Sequence, residues 1–231
     1  MLKKLLPLYL ILNTTTTLAL DLKTEEDQMA YSLGCVAAEH LKSQEKVGIK
    51  INPDLFIQGL KDSLSNKQQL NQEQIIKALN IMKDKQIEQQ KLLLKKISSN
   101  NLQKGQEFLA QNKKNKDTFE LKNGLQYQII NSGDQTAKSP SINDKVQVQY
   151  RGTLLDGTEF DSSYDRTEPA VFELKSLIKG WQEALVLMKP NAKWKLFVPP
   201  QLAYGVEGAG SMIEPNAVLV FDIELVAVNP V

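Results

Sequence analysis

The chain has 231 residues, which is enough for one large domain or two small ones. Its 28 Lys and Arg residues nearly balance its 27 Asp and Glu residues, so the formal net charge at neutral pH is +1. This balance argues against a dedicated nucleic-acid-binding protein, because such proteins usually carry a large basic excess.

The first twenty residues have the layout of a secretory signal peptide. Lys3 and Lys4 precede an apolar run from Leu5 to Leu12, and Ala19 is a small residue near the expected cleavage site. The apolar run is too short for a membrane-spanning helix. No other segment of the sequence is long and apolar enough to span a bilayer. We therefore expect cleavage near Ala19 and a mature chain without a transmembrane segment. The alternatives are an N-terminal anchor and a buried helix.

Residues 22 to about 115 follow a helical pattern. Thr24 followed by three acidic residues predicts the start of one helix, because acids favour the positive end of the helix dipole. Asn52-Pro53 predicts the start of a second, since a capping side chain and a first-turn proline both suit a helix N-terminus. A third start at Asn71 opens a pattern that can continue to about residue 114, over roughly 60 Å at 1.5 Å per residue.

The two short helices leave apolar positions without a partner. The sequence predicts a homodimer in which the short helices of two chains interlock, because soluble proteins seldom expose large apolar patches. The alternative is an autonomous three-helix bundle with a projecting spacer. We assign residues 21–70 to a helical dimerisation domain and residues 71–115 to a long connecting helix. Cys35 is the only cysteine, so it cannot form an internal disulfide bond, and we expect it as a small buried thiol on a helix. The alternatives are a lipid-modified cysteine and an intermolecular disulfide bond.

Residues 116–231 have a different pattern, with frequent glycine and proline and with strand-like alternation. The predicted strands are Leu125 to Ile130, Val146 to Leu154, Lys193 to Val198 and Val218 to Val226. One helical stretch, from about Leu177 to Met188, interrupts them. The whole chain is therefore predicted to be α+β, with an all-α N-terminal part and then an antiparallel sheet that carries one short helix.

A hairpin is the strongest local signal in this second half. Asp156-Gly157 lies between two apolar strands, and both residues tolerate the positive φ that a tight turn requires. The second strand ends on Phe160-Asp161, which places one acid beside apolar surface. Such residues also have ordinary explanations, since an aspartate before two serines is often a turn cap.

The hairpin belongs to a larger set of candidate pocket residues, mostly apolar and aromatic. The set is Tyr150, Phe160, Asp161, Leu177, Ile178, Trp181, Tyr204, Ile213 and Phe221. Each aromatic alone is more often part of a core than of a site. Taken together, they describe an apolar pocket with very few polar groups.

The sequence offers few groups for metal-dependent or covalent chemistry. The single histidine, His40, lies in the helical half, and no cluster has metal-ligand spacing. The glycine-rich stretch 205–210 is not followed by the Lys-Ser or Lys-Thr pair of a phosphate-binding loop. We therefore expect no metal and no cofactor.

Four segments in order resemble the FKBP-type peptidyl-prolyl cis–trans isomerases. They are Tyr150 to Ser163, Leu177 to Trp181, Ala203-Tyr204-Gly205 and Val218 to Leu225. Met29 to Gly34 in the N-terminal half, and Asn123 to Tyr127 near the start of the second half, are similar to the dimeric macrophage infectivity potentiator type (the Mip/FkpA-like subgroup). The resemblance implies an FKBP-like twisted sheet wrapped on one short helix, with residues 116–231 as the isomerase domain.

The resemblance also implies roles for the candidate residues. The proline ring of a substrate is expected on the indole of Trp181, with Tyr150, Phe160, Leu177, Ile178, Ile213 and Phe221 around it. The Ile178 backbone N–H and the Tyr204 hydroxyl are expected to hold substrate carbonyl groups, and Asp161 to polarise or orient the amide. Asp161, Tyr204, Phe160 and Trp181 are thus the expected catalytic residues. One departure is Ala170, which stands where many single-domain members have an aromatic residue and so opens one wall of the pocket.

The expected partners follow from the same resemblance. They are proline-containing polypeptides, a second copy of the chain through the N-terminal helices, and macrolide inhibitors. The expected location is the periplasm or the outer membrane and cell surface of a Gram-negative bacterium. The alternative function is a periplasmic chaperone that holds unfolded chains in the dimer cleft, with isomerase activity secondary.

Overall fold

The computed structural model describes residues 21–230, so the expected signal peptide lies outside the described residues. Three helices come first: α1 (Glu25–Lys46), α2 (Pro53–Leu64) and α3 (Gln72–Asn112). Seven strands follow: β1 (Thr118–Glu120), β2 (Gln126–Asn131), β3 (Lys145–Thr153), β4 (Glu159–Ser162), β5 (Ala170–Glu173), β6 (Lys193–Val198) and β7 (Leu219–Val228). A fourth helix, α4 (Lys179–Leu185), lies between β5 and β6. The predicted α+β class and the long helix are confirmed.

The three helix starts are set by their capping residues, as the sequence predicts. Thr24 Oγ1 accepts the Asp27 N–H at 3.1 Å, and the Asp27 carboxylate accepts the Thr24 N–H at 3.3 Å, which makes a reciprocal capping box. Asn52 Oδ1 accepts the N–H groups of Asp54 and Leu55 in α2. Asn71 and Gln74 exchange two such bonds at the start of α3.

The chain divides into two compact units, with the boundary inside α3 between Gln86 and Ile87. In the first unit, α1 buries only Gln44 and α2 buries no residue. The exposed large apolar side chains of these two helices are Met29, Tyr31, Leu33, Val36, Leu55, Phe56, Ile57, Leu60 and Leu64. Cys35 is exposed in the single chain, so its expected burial is wrong here, because nothing within residues 21–230 covers that side of α1.

The second unit is built on one antiparallel sheet. Its strand order is β1-β2-β6-β7-β3-β4, and β5 pairs with β3 beside β4. Burial alternates along β3, where Val146, Val148 and Tyr150 face the core. This alternation follows from the two-residue period of a strand. Helix α4 buries Trp181, Ala184 and Leu185 in that core.

The last turns of α3 cover the opposite face of the sheet. Leu196 and Val198 belong to the core cluster, so the intervening Phe197 points to the other face. There its ring lies 5.6 Å from the ring of Phe108 in α3, and it is buried. The buried Gln126 donates to the Leu109 carbonyl at 2.9 Å and accepts from Asn112 at 2.9 Å. The end of α3 is therefore part of the second unit.

Some local predictions differ from the structure. The helix expected from Leu177 to Met188 is shorter, because a 3-10 turn occupies Leu174–Ser176 and α4 ends at Leu185. The hairpin is present, but only Gly157 has positive φ, at 88°. The Gly157 N–H donates to the Leu154 carbonyl at 3.1 Å, as in a three-residue hairpin loop with a glycine after the turn. Among the helices of residues 21–230, none has the length and apolar character that crossing a membrane requires.

Candidate active site

Eight of the nine candidate pocket residues line one cavity of about 360 Å³ in the second unit. They are Tyr150, Phe160, Asp161, Leu177, Ile178, Trp181, Tyr204 and Phe221. Ile213 is not among the lining residues. It is buried in the core, where it and Ala209 exchange backbone hydrogen bonds of 2.8 and 3.1 Å.

Trp181 forms the buried floor of the cavity. Its side chain is 4% exposed, and the rings of Tyr150 and Phe221 meet it edge-on at centroid distances of 5.1 and 5.2 Å. Phe160 meets Phe221 in the same way at 5.6 Å. Edge-to-face contacts of this kind favour one arrangement of rings. The aromatic surface is therefore rigidly held.

Two glycines make this ring arrangement possible. A Cβ atom on Gly180 would lie 2.5 Å from Val198 Cγ1, so glycine lets α4 approach β6 and places Trp181 against the sheet. A Cβ atom on Gly152 would lie 2.7 Å from the Phe160 ring and 2.9 Å from the Phe221 ring. Glycine at position 152 thus leaves room for both rings over β3.

One carboxylate with two partners supplies the polar side of the cavity. The Tyr150 hydroxyl donates to Asp161 Oδ2 at 2.5 Å, and Arg166 Nη2 lies 3.4 Å from Asp161 Oδ1. Arg166 Nη2 also donates to the Tyr150 hydroxyl oxygen at 3.3 Å. Burial and the hydrogen bond to Asp161 raise the pKa of Tyr150 to about 12. The phenol therefore stays protonated and donates to the carboxylate throughout the neutral range.

Two hydrogen-bond donors at the cavity are unused by the described part of the chain. The Ile178 N–H makes no hydrogen bond within residues 21–230, because Ile178 precedes the first turn of α4. The Ile178 carbonyl is held by the N–H groups of Trp181 and Gln182 at 3.0 and 3.1 Å, which fixes the orientation of this residue. The Tyr204 hydroxyl also has no partner in the described residues, and the side chain is 41% exposed.

The Trp181 indole nitrogen is the single buried side-chain polar atom without a partner in residues 21–230. Such an atom costs free energy of about 1–3 kcal/mol. Because the indole N–H gains no hydrogen bond there, the contacts of the Trp181 ring, rather than a hydrogen bond, favour a tryptophan at this position.

Sequence reasoning missed three lining residues: Arg166, Phe172 and Ser176. The Arg166 N–H donates to the Ser163 carbonyl at 3.1 Å, and this turn returns Arg166 toward Asp161. Phe172 follows Ala170 by two residues in β5, so both point to the same side. The ring of Phe172 meets Trp181 edge-on at a centroid distance of 6.3 Å. An aromatic ring therefore lines the wall that Ala170 was expected to leave open. A charge of opposite sign five residues after Asp161 was the available signal for Arg166.

In the described residues, no group of three or more His, Cys, Asp or Glu side chains could hold a metal ion. The cavity is lined by aromatic surface, by one carboxylate with its partners, and by the two donors described above. This arrangement can bind a small apolar ring and hold the carbonyl groups next to it.

Comparison with known proteins identifies the family of the chain. Residues 136–226 match the family model described as FKBP-type peptidyl-prolyl cis-trans isomerase. Residues 26–129 match the model for the domain amino terminal to FKBP-type peptidyl-prolyl isomerase. The chain is 42% identical to the peptidyl-prolyl cis-trans isomerase Mip of Coxiella burnetii over 95% of this chain and 94% of that protein.

Two further relatives cover most of the chain. The outer membrane protein MIP of Legionella longbeachae is 39% identical over 91% of this chain and 89% of that protein. The crystal structure of FkpA from Escherichia coli superposes with a TM-score of 0.77 at 37% identity, covering 91% of this chain and 99% of that one. With both family models and full-length relatives in agreement, the chain belongs to the FKBP-type peptidyl-prolyl cis–trans isomerase family.

Proposed function

We propose that this protein catalyses rotation about X-Pro peptide bonds in client polypeptides, with the proline ring bound on Trp181. The observation that carries the proposal is the cavity itself. Among the described residues, it combines a rigid aromatic floor, two donors without a partner and a single carboxylate. A proline ring is a small apolar ring that lies between two amide carbonyl groups, so it matches this set.

The chemistry of rotation suits such a site. An X-Pro bond has partial double-bond character, with a rotation barrier of about 20 kcal/mol. The twisted amide has lost its resonance and is less polar than either planar form. An apolar site that excludes water therefore favours the twisted state over the planar ones.

The polar groups then have positioning roles. The Ile178 N–H and the Tyr204 hydroxyl hold substrate carbonyl groups beside the proline. Asp161 already accepts from Tyr150 and lies close to Arg166, so it orients the amide as a fixed negative charge. We rank shape and desolvation above proton transfer by Asp161.

A coupled protease assay on a proline tetrapeptide tests the proposal. The mature chain should accelerate cis–trans exchange, and Trp181→Ala should abolish most of the acceleration because it removes the surface on which the ring rests. Leu187→Ala, at an exposed position after α4 that does not line the cavity, is the matched control. An exchange rate equal to the uncatalysed rate with the wild-type chain would refute the proposed activity. A macrolide inhibitor is expected to compete for the same cavity.

We also infer that the protein is exported and forms a homodimer. The composition of residues 1–20 supports export, and one relative bears the name outer membrane protein. The exposed apolar side chains of α1 and α2 support a dimer, because a second copy would bury them. Mass measurement of the mature chain in solution tests the dimer, and a monomer at micromolar concentration would contradict it.

We infer a second candidate function, a chaperone that holds unfolded chains in the dimer cleft on those apolar side chains of α1 and α2 that the second copy leaves uncovered. Aggregation of an unfolded test protein should be suppressed by the wild-type chain, and this activity should survive Asp161→Ala and Tyr204→Phe. Loss of suppression in these two variants would show that suppression of aggregation depends on the cavity, and it would contradict a separate chaperone function.

A further inference from the structure

The loop of residues 204–217 joins the cavity to helix α3. Tyr204 begins this loop and lines the cavity. Glu214, Pro215 and Asn216, near its other end, contact α3. The loop contains no helix or strand, so hydrogen bonds at its ends decide where Tyr204 is held.

Two polar side chains of α3 bind the far end of this loop. Asn101 Nδ2 donates to the Pro215 carbonyl at 3.1 Å and to Glu214 Oε2 at 3.0 Å. Ser98 Oγ accepts from Asn216 Nδ2 at 2.8 Å. Ser98 and Asn101 are three residues apart, so they lie on the same face of the helix.

Asn216 connects the end of the loop that α3 binds to the start of the loop. Its N–H donates to the Gly205 carbonyl at 2.8 Å, and Gly205 is the residue directly after Tyr204. The Gly205 N–H donates in turn to the Pro200 carbonyl at 2.8 Å. Asn216 has a positive φ of 58°, which is uncommon for a residue other than glycine, and Gly205 has a φ of 57°, which glycine adopts readily. A continuous path of bonds thus runs from Ser98 through Asn216 and Gly205 to Tyr204.

The middle of the loop is too tightly folded to absorb a shift at one end. Ala209 and Ile213 exchange two backbone hydrogen bonds. A Cβ atom on Gly208 would overlap the Ile213 carbonyl, so the two sides of the loop are in close contact. Displacement of residues 214–216 would therefore carry Gly205 with it.

We propose that Ser98 and Asn101 are positioning residues that hold the Tyr204 hydroxyl at the substrate-binding cavity. The proposal rests on the proposed function, because Tyr204 matters only if it holds a substrate carbonyl. It gives α3 an indirect role in the active site, although none of the residues that line the cavity belongs to α3. Neither residue touches the substrate, and both act through the loop.

The test uses the full mature chain with Ser98→Ala and Asn101→Ala combined. Kinetics on the proline tetrapeptide should show kcat/KM lowered roughly fivefold, the loss that corresponds to about one neutral hydrogen bond. The loss should appear mainly as a higher KM, since a substrate carbonyl is held in both planar and twisted states. Gln103→Ala is the matched control, because it removes an exposed α3 hydrogen bond to Glu107 and leaves the loop untouched. Ser98→Thr retains a hydroxyl. When it replaces Ser98→Ala in the combined variant, it should restore the part of the kcat/KM that the loss of the Ser98 hydroxyl removed.

A double-mutant cycle separates positioning from a general loss of stability. In a Tyr204→Phe background, the combined α3 substitutions should have little further effect, because the hydroxyl that they position is gone. Full additivity of the two losses would overturn the proposal.

Amide hydrogen exchange gives a readout that does not depend on catalysis. The amides of Gly205 and Asn216 both donate to backbone carbonyls, and they should exchange faster in the combined variant than in Gln103→Ala. Unchanged exchange would overturn the proposal even if the chain is an active isomerase. Conversely, an inactive wild-type chain with faster exchange in the variant would refute the proposed function and leave the loop restraint standing.

Discussion

The pair of Tyr150 and Asp161 determines the electrostatics of the cavity. Burial comes first in raising the pKa of Tyr150, and the adjacent carboxylate adds to the effect. The folded-state pKa of about 12 lies above the ordinary tyrosine value of 10.0. The neutral phenol is thus favoured by folding, so its contribution to stability is complete below pH 10 and disappears as the pH rises to 12.

This shift can be measured by ultraviolet titration of tyrosine ionisation. The wild-type chain should show a late step near pH 12 that Tyr150→Phe lacks. Tyr164→Phe, at an exposed tyrosine outside the cavity, should keep the late step. A late step that survives Tyr150→Phe would show that another tyrosine carries the shift.

Asp161→Asn distinguishes a positioning role of the carboxylate from proton transfer. If shape and desolvation dominate, kcat/KM should fall by less than about tenfold, short of the roughly 10²–10⁴ that general acid–base catalysis contributes. Asp165→Asn, at an exposed carboxylate that does not line the cavity, should leave kcat/KM unchanged. A thousandfold loss in Asp161→Asn would contradict our ranking of the two effects.

At the scale of elements, the contact between α4 and β6 depends on Gly180. Gly180→Ala would place a methyl group 2.5 Å from Val198 Cγ1. We expect the free energy of unfolding to fall by about 1–3 kcal/mol, as is usual for overpacking. Urea unfolding monitored by tryptophan fluorescence measures this change.

Val198→Ala supplies the matched background for that experiment. It removes the methyl groups that Gly180→Ala would meet, so the added Cβ should cost less there than in the wild-type chain. An equal cost in both backgrounds would mean that the destabilisation arises from the backbone rather than from this contact.

The elements also show what the sequence could and could not predict. Strand β3 alternates along its whole length, and β6 and β7 alternate over part of theirs, so the positions of these strands follow from the pattern. Strands β1 and β5 have three and four residues, too few for a periodicity to be recognised. Arg166 was missed because its approach to Asp161 depends on a turn at Ser163. Ile213 was assigned to the pocket because an apolar residue near Tyr204 fits either the cavity or the core.

At the scale of the whole molecule, the length of the folded C-terminal unit is a testable quantity. The sequence places its start at residue 116, whereas the compact unit of the structure begins at Ile87. We expect a fragment of residues 87–231 to unfold at higher urea concentration than one of residues 116–231. The shorter fragment lacks Phe108 and Leu109, which cover Phe197 and bind Gln126.

The expected difference is at least about 2 kcal/mol, the value of burying one phenylalanine side chain. Phe108→Ala in the longer fragment is the control, because it should remove part of the difference without shortening the helix. Equal stability of the two fragments would mean that α3 contributes nothing to the fold of the second unit.

The contact between Ser98 and Asn216 has a consequence for synthesis of the chain. The two residues are 118 positions apart, so Ser98 has no partner until nearly the whole polypeptide has been made. At about 5–20 residues per second, that interval is on the order of ten seconds. For most of that interval, the last turns of α3 also lack Phe197, the β6 residue that Phe108 covers. Such a high sequence separation of contacts slows folding, and it makes completion of the Tyr204 side of the cavity a late event in the life of each new chain.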